Sequence, residues 1–299
     1  MTMPNFLIIG ANKAGTTSLY YYLQQHPQVY MSPVKEPMFF TSAGTHPEGS
    51  RLPHPTALGQ AIANLEDYEA LFADVDEEKA IGEASTAYLH NPQAAQRIKQ
   101  SIPDVKLIAV LRHPVERAYS NYVMYCEWGL ENRDFARAVR EKDDRVVGEY
   151  PPGRLYVELG FYYNQLRRYL DTFNQEQLKI YLYDDLRKDP LNLLKDILRF
   201  LGVEGSFVPD LSTKYNESGL PRSKAVNALL TRSNRFTSIL KSIVPPRLRQ
   251  PIANRIRSRN LLKPPPLAPE IRWELIEVYK DDILKVQDLI QRDLSRWLA

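Results

Sequence analysis

The stretch that most constrains the fold is residues 6–22, FLIIGANKAGTTSLYYY. Four apolar residues and a glycine read as a buried strand, the next residues as a tight loop, and TTSLYYY as the opening of a helix. A strand feeding directly into a loop and a helix commits the chain to an α/β arrangement. Gly10 and Gly15 are spaced as in a P-loop, but Thr16 and Thr17 stand where that motif requires Lys followed by Ser or Thr. The lysine lies inside the loop instead, at Lys13. Two readings stand side by side. In one, backbone N–H groups of residues 13–18, the hydroxyls of Thr16, Thr17 and Ser18 and the charge of Lys13 meet an anion at the helix N-terminus. In the other, the segment is an ordinary strand-to-helix turn with a threonine cap.

A chain of 299 residues, 43% of them hydrophobic, can bury a full core, and we expect one domain over 1–299 with a polar loop at 41–66 and a basic helical or loop segment at 210–266. A net charge of +3, from 39 basic and 36 acidic residues, is too balanced to point to nucleic acid. The basic residues concentrate between Arg222 and Lys263, which reads as a solvated face, a peripheral membrane patch or the rim of a site for an acidic ligand. Cys126 is the only cysteine, so no intrachain disulfide is possible, and a reducing cytoplasm is the expected location. The first apolar run is too short for a signal or a transmembrane segment, and no later one approaches a span. Oligomeric state is left open.

Along the chain, strand and helix patterns alternate. Val29–Met31 reads as a short strand, followed by a Pro-punctuated loop in which Lys35 and Glu36 precede two phenylalanines. Such a dipeptide reads equally as solvated surface or, if the aromatics dock the loop on the body, as a partly desolvated Glu36 suited to take a proton. Residues 79–83 form a strand leading into EASTAYL, which puts Glu83, Ser85 and Thr86 at a strand's carboxyl end, where open α/β sheets collect ligands. KLIAVL at 106–111 is the clearest buried strand. Arg112 sits at its exit, and Pro114 opens a helix that carries Ser120 about two turns on. An arginine there is either a phosphate clamp or half of a structural ion pair. LKIYLY at 178–183 alternates like another strand, its tyrosines reading as sheet packing. Helical patterns cover 91–101, 132–144, 155–173, 185–201 and 270–298. The expected fold is a P-loop-like three-layer α/β structure, with a mainly parallel central sheet of about five strands flanked by helices. His46 and His54 have no carboxylate or cysteine at ligand spacing, so no metal is expected.

Taken together, these motifs resemble the sulfotransferases that use 3′-phosphoadenosine 5′-phosphosulfate (PAPS), in the branch that includes heparan sulfate and related bacterial enzymes. IIGANKAGTTSL looks like that family's 5′-phosphosulfate loop and VLRHPVERAYSNY like its 3′-phosphate motif. KEPMFF resembles the loop carrying the family's catalytic glutamate, SGLPRSKAV its late basic loop, and DLSRWL a familiar ending. The resemblance implies sulfuryl transfer from PAPS to a hydroxyl or amine of a carbohydrate, glycolipid or other small acceptor, leaving adenosine 3′,5′-bisphosphate, with no metal. It implies Glu36 as base and Lys13 as catalytic cation. Lys13, Ala14, Gly15, Thr16, Thr17 and Ser18 would hold the phosphosulfate, Arg112, Ser120 and Arg222 the 3′-phosphate, and the late loop with Arg222, Ser223 and Lys224 would fold over the nucleotide. Lys35, Glu83 and Ser85 are the candidates for meeting the acceptor. Two departures are visible: GEASTAYL has Ala84 where the glycosaminoglycan enzymes carry lysine, and a lone cysteine cannot make their late disulfide. The competing readings are an ATP-dependent P-loop kinase-like enzyme and an inactive binding protein on the same fold.

Overall fold

The computed structural model describes residues 2–42, 62, 64–141, 156–212, 219–223 and 260–299. Five strands form the central sheet: β1 (Phe6–Gly10), β2 (Val29–Met31), β3 (Ala80–Ala84), β4 (Lys106–Leu111) and β5 (Leu178–Leu182). Their order is β2-β3-β1-β4-β5, and every neighbouring pair is parallel. An all-parallel sheet needs both faces covered, which is why its strands read as near-continuous apolar runs. Phe6, Leu7, Ile8 and Ile9 in β1 and Leu107, Ile108, Val110 and Leu111 in β4 are fully buried. Each such side chain contributes roughly 1.5–3 kcal/mol by leaving water.

Helices cover the sheet: α1 (Thr16–Leu23), α2 (Phe39–Ser42), α3 (Leu65–Ala70), α4 (Ala87–His90), α5 (Ala94–Ser101), α6 (Pro114–Glu127) and α7 (Phe135–Arg140), then Tyr162–Leu170, Tyr183–Lys188, Pro190–Leu201 and Pro269–Ile290. The helical pattern over 185–201 is interrupted at Pro190, which starts a new helix with Asp189 accepting a hydrogen bond from the Asn192 amide as a cap. The last helix stops earlier than its pattern suggests. Gln291 adopts φ 52° and ends it at Ile290, and a short 3-10 turn over Ser295–Leu298 then buries Trp297 beside His113, ring centroids 5.9 Å apart. That helix also caps another: Asp282 accepts from the amides of Tyr162, at 2.7 Å, and Tyr163, at 3.3 Å.

The topology fixes where a site can form. β1 lies between β3 on one side and β4 on the other, so the strand order reverses beside it and a crevice opens at the carboxyl ends of the strands. The β1–β4 register shifts between Ile8 and Gly10, where β1 ends and its loop begins. Loop 11–15, loop 32–38, Ser85 with Thr86, Arg112 with His113, and Tyr183 each follow one of the five strands directly, so all start from this one edge. Most of the 41–66 loop and of the 210–266 segment, Lys224 included, lies outside the described residues.

Candidate active site

Gly15, not a threonine, is the N-cap of α1, and the cap makes no side-chain hydrogen bond. Its φ of 86° is left-handed, and a Cβ there would come within 2.9 Å of the Tyr183 ring and of Leu186. The threonine-cap reading therefore fails: the helix start carries no side chain that competes for its N–H groups. Lys13 is also left-handed, with φ 64°, and its side chain runs to α6, where Nζ is 3.7 Å from Met124 Sδ. Desolvation lowers its pKa from 10.5 to about 8; Glu127 opposes this, and Arg112 and Lys35 push the same way. Three cations thus lie within electrostatic reach of one another at a helix N-terminus, an arrangement that favours a bound anion. Thr16 is buried, whereas Thr17 and Ser18 are half-buried on the first turn.

Arg112 leaves β4 and donates from Nη1 to the Lys13 carbonyl at 3.0 Å, while its guanidinium lies 4.8 Å from the centre of the Tyr183 ring. Its own carbonyl accepts from the Tyr162 hydroxyl at 2.9 Å. The ion-pair alternative with Glu116 fails, because Glu116 pairs with Arg272, and among the described residues Arg112 has no carboxylate partner. His113 accepts from the Val115 amide and so caps α6. Burial and the nearby Arg272 hold its pKa at about 4, against Glu116, which keeps the ring a neutral acceptor. Ser120 is half-buried on α6, and its hydroxyl makes no hydrogen bond among the described residues.

Arg222 and Ser223 follow Leu220–Pro221, which pairs antiparallel with Leu261–Leu262 and packs against α6. Asn260 fastens this segment, accepting from the amides of Arg222 at 2.6 Å and Ser223 at 2.9 Å. The structure therefore brings both residues to the helix that carries Ser120, with the Arg222 side chain exposed. Lys224 lies outside the described residues.

Glu36 is buried, 5% exposed, and left-handed at φ 62°; Met38, two residues on, has φ 55°. Two non-glycine residues so placed in one short loop cost on the order of 1–3 kcal/mol each, and such strain persists only where surroundings enforce it. The chain after β3 does the enforcing. The Glu36 amide donates to the Ala84 carbonyl at 3.0 Å, the Thr86 amide to Glu36 Oε2 at 2.7 Å, and the Met38 amide to Ser85 Oγ at 3.0 Å. The Thr86 hydroxyl reaches both carboxylate oxygens at 3.2 Å. Lys35 Nζ lies 2.7 Å from Glu36 Oε1, so the Lys-Glu dipeptide is a partly buried ion pair and not solvated surface. Glu83 and Ser85 correct an expectation. Both are 0% exposed and, instead of offering surface to an acceptor, they lie beneath the Glu36 loop. Among the described residues no group of three or more His, Cys, Asp or Glu side chains is arranged to hold a metal ion.

Residues 4–207 match the sequence profile described as the sulfotransferase family. The chain belongs to that family. Over 152 residues it is 35% identical to the membrane-associated sulfotransferase kil1 of Dictyostelium discoideum, covering 49% of this chain and 29% of that protein. Over 214 residues it is 29% identical to the bifunctional heparan sulfate N-deacetylase/N-sulfotransferase 3 of Homo sapiens, covering 67% of this chain and 22% of that protein. The chain thus spans less than a third of the length of these two relatives. The crystal structure of a sulfotransferase from Alicyclobacillus acidocaldarius superposes with a TM-score of 0.75 at 32% identity, covering 100% of both chains. In this sulfotransferase, sequence reasoning placed Thr86 at a strand's end without giving it a role and read Tyr183 as sheet packing. The structure puts Thr86 on the Glu36 carboxylate and Tyr183 under Arg112. For Tyr183 a signal was available, since it ends a strand beside the same edge as Arg112.

Proposed function

We propose that the protein transfers a sulfuryl group from PAPS to a hydroxyl or amine of an acceptor, in the first place a carbohydrate, then a glycolipid or other small metabolite. The observation that carries this reading is the convergence of Lys13, Arg112 and Lys35 at the glycine-capped start of α1, with the buried Glu36 attached to the same edge. The donor set suits a multiply charged phosphosulfate nucleotide: the N-cap has no side chain in the way, and Arg112 has no carboxylate to release among the described residues. When bound, PAPS supplies the activated sulfuryl group. Lys13 and the α1 N-terminus would hold its phosphosulfate end; Arg112, Ser120 and Arg222 would hold its 3′-phosphate, with Ser223 and Lys224 in the loop over the nucleotide. Glu36 takes the proton of the attacking acceptor, and Thr86 and Lys35 fix its orientation. Preorganised donors of this kind typically contribute ~10²- to 10³-fold in rate each.

The carbohydrate acceptor rests on relatives whose names include heparan sulfate N-sulfotransferases and a carbohydrate sulfotransferase. Family membership weighs against the kinase-like alternative. A reducing cytoplasmic location belongs to the same reading and rests on the single cysteine, which is buried. Among the described residues no helix is long and apolar enough to cross a membrane. Titration calorimetry with adenosine 3′,5′-bisphosphate, followed by transfer from radiolabelled PAPS to sugars, glycolipids, phenols and amines, tests the proposal. Saturable heat and labelled product are expected. No heat with the wild type would overturn it, and binding without transfer to any acceptor would favour the inactive binding protein.

A further inference from the structure

α6 carries a half-buried stripe that runs the length of the site. Ser120, Met124 and Glu127 stand at i, i+4 and i+7, on one face of the helix, and Trp128, its C-cap, lies one turn beyond Met124. At about 1.5 Å per residue, Met124 is about 6 Å further along the axis than Ser120, and Glu127 and Trp128 are about 10 to 12 Å further. On the reading above, Ser120 marks the 3′-phosphate end of the nucleotide. Met124 Sδ, 3.7 Å from Lys13 Nζ, marks the phosphosulfate end. Continuing in the same direction leads beyond the phosphosulfate to Glu127 and Trp128. Of the charged groups that act on the Lys13 ammonium, Glu127 acts most strongly, ahead of Lys35 and of Arg112, which is itself hydrogen-bonded to the Lys13 carbonyl. Its field therefore reaches the place where the acceptor must meet the donor, although the chemistry described above gives it no part.

We propose that Glu127 is a specificity-determining residue: its carboxylate, flanked by the apolar surface of Met124 and Trp128, borders the acceptor side of the site and selects an uncharged or amine-bearing sugar over an anionic one. The charge balance carries this step. A bound phosphosulfate takes up the charges of Lys13 and Arg112. Lys35 is matched by Glu36, its Nζ 2.7 Å from Oε1. Of the groups named at this end, the carboxylate of Glu127 and the donor's own negative charge are left to face the acceptor. A carboxylate or sulfate on the acceptor would enter that field with the neighbouring cations already matched, which is costly; a hydroxyl sugar escapes the cost, and an ammonium is drawn in. Trp128 and Tyr125, ring centroids 5.6 Å apart, add aromatic surface of the kind that an uncharged sugar ring packs against.

This inference rests on the proposed transfer from PAPS, so its test has one arm that needs turnover and one that does not. Transfer from radiolabelled PAPS, at saturating donor, is compared for methyl glucoside, methyl glucosaminide and methyl glucuronide, which share a ring and differ in charge. Wild-type kcat/KM for each of the first two should exceed that for the glucuronide by about tenfold or more, and the gap should narrow as salt is raised. Glu127→Gln should cut that ratio to about threefold or less, and Glu127→Lys should invert it. An effect of either variant through Lys13, or a partial loss of folding, scales all three acceptors alike and drops out of the ratio. Calorimetry of the three glycosides on the complexes of wild type and Glu127→Gln with adenosine 3′,5′-bisphosphate should give the same ranking without turnover. Bisphosphate heat together with a ratio unchanged in both variants, with a wild-type preference for the glucuronide, or with no binding of any of the three glycosides would overturn the role of Glu127 and leave the donor site standing. Absence of bisphosphate heat in the wild type would instead take down the PAPS reading, and this inference with it.

Discussion

The charge on Lys13 gives the sharpest quantitative handle on the nucleotide site. Its pKa of about 8 makes it about nine-tenths protonated at pH 7 and about one-tenth at pH 9. A bound phosphate or sulfate keeps the ammonium charged, so the free protein must take up a proton to bind once the pH exceeds about 8. Affinity for adenosine 3′,5′-bisphosphate should therefore fall about tenfold between pH 7 and pH 9. The ligand adds little to this slope, because phosphate groups complete their second ionisation near pH 6. Lys13→Arg keeps a charge that does not titrate below about pH 12, so its affinity should be nearly flat over the same interval. Titration calorimetry at fixed ionic strength measures both. A wild-type affinity constant from pH 7 to 9, or an equal slope in Lys13→Arg, would refute the assignment of Lys13 as the anion's cation.

Three other substitutions probe separate parts of the site. Glu36→Gln should bind adenosine 3′,5′-bisphosphate within about twofold of wild type and lose turnover by ~10²-fold or more, read from calorimetry and labelled-product assays. Gly15→Ala places a Cβ 2.9 Å from the Tyr183 ring at a left-handed φ, so it should cost roughly 1–3 kcal/mol, lower the calorimetric Tm by a few degrees and weaken bisphosphate binding. Tyr183→Ala removes the ring beneath Arg112 and should weaken bisphosphate binding by about 0.5–2 kcal/mol, whereas Tyr183→Phe, which keeps the ring, should not; equal affinities for the two variants would remove Tyr183 from the site.

The parallel sheet was legible because burial on both faces forces unbroken apolar strands, and FLII and KLIAV carry that signature in the bare sequence. That Lys13, Glu36 and Arg112 stand at one edge was legible because each lies in the segment that follows a strand, and the carboxyl ends of parallel strands share that edge. What could not be read was the contact between loops that follow different strands. Thr86 meets Glu36 from 50 residues away, and nothing local distinguishes its hydroxyl from any helix-capping threonine. The same limit misplaced Glu83 and Ser85. Position at a strand's end locates a residue along the strand but not in depth, and the Glu36 loop folds over both. The cap of α1 failed for a local reason: a threonine after glycine reads as a cap by preference, while the left-handed turn needed to clear Tyr183 and Leu186 requires the glycine itself.

The lysine's place within the loop follows from the same packing and carries its own test. In a P-loop the lysine follows the second glycine, the position Thr16 holds here. Thr16 is 4% exposed, so an ammonium at that position would be desolvated against the core. Position 13, half-buried and left-handed, instead sends its side chain along α6 to Met124, with Glu127 as an opposing charge and Arg112 bonded to its own carbonyl. Burial desolvates the Lys13 ammonium as well, and Glu127 offsets part of that cost. Lys13→Ala should weaken bisphosphate binding by ten- to a hundredfold, on the order of 1.4–3 kcal/mol for a lost charged contact. Adding Thr16→Lys to it should restore nothing and should also lower Tm, because the new charge has no solvated exit. Calorimetry and thermal unfolding on the single and double variants decide the point. Recovery of affinity to within threefold of wild type in the double variant would show that the crevice needs only a positive charge, wherever in the loop it stands.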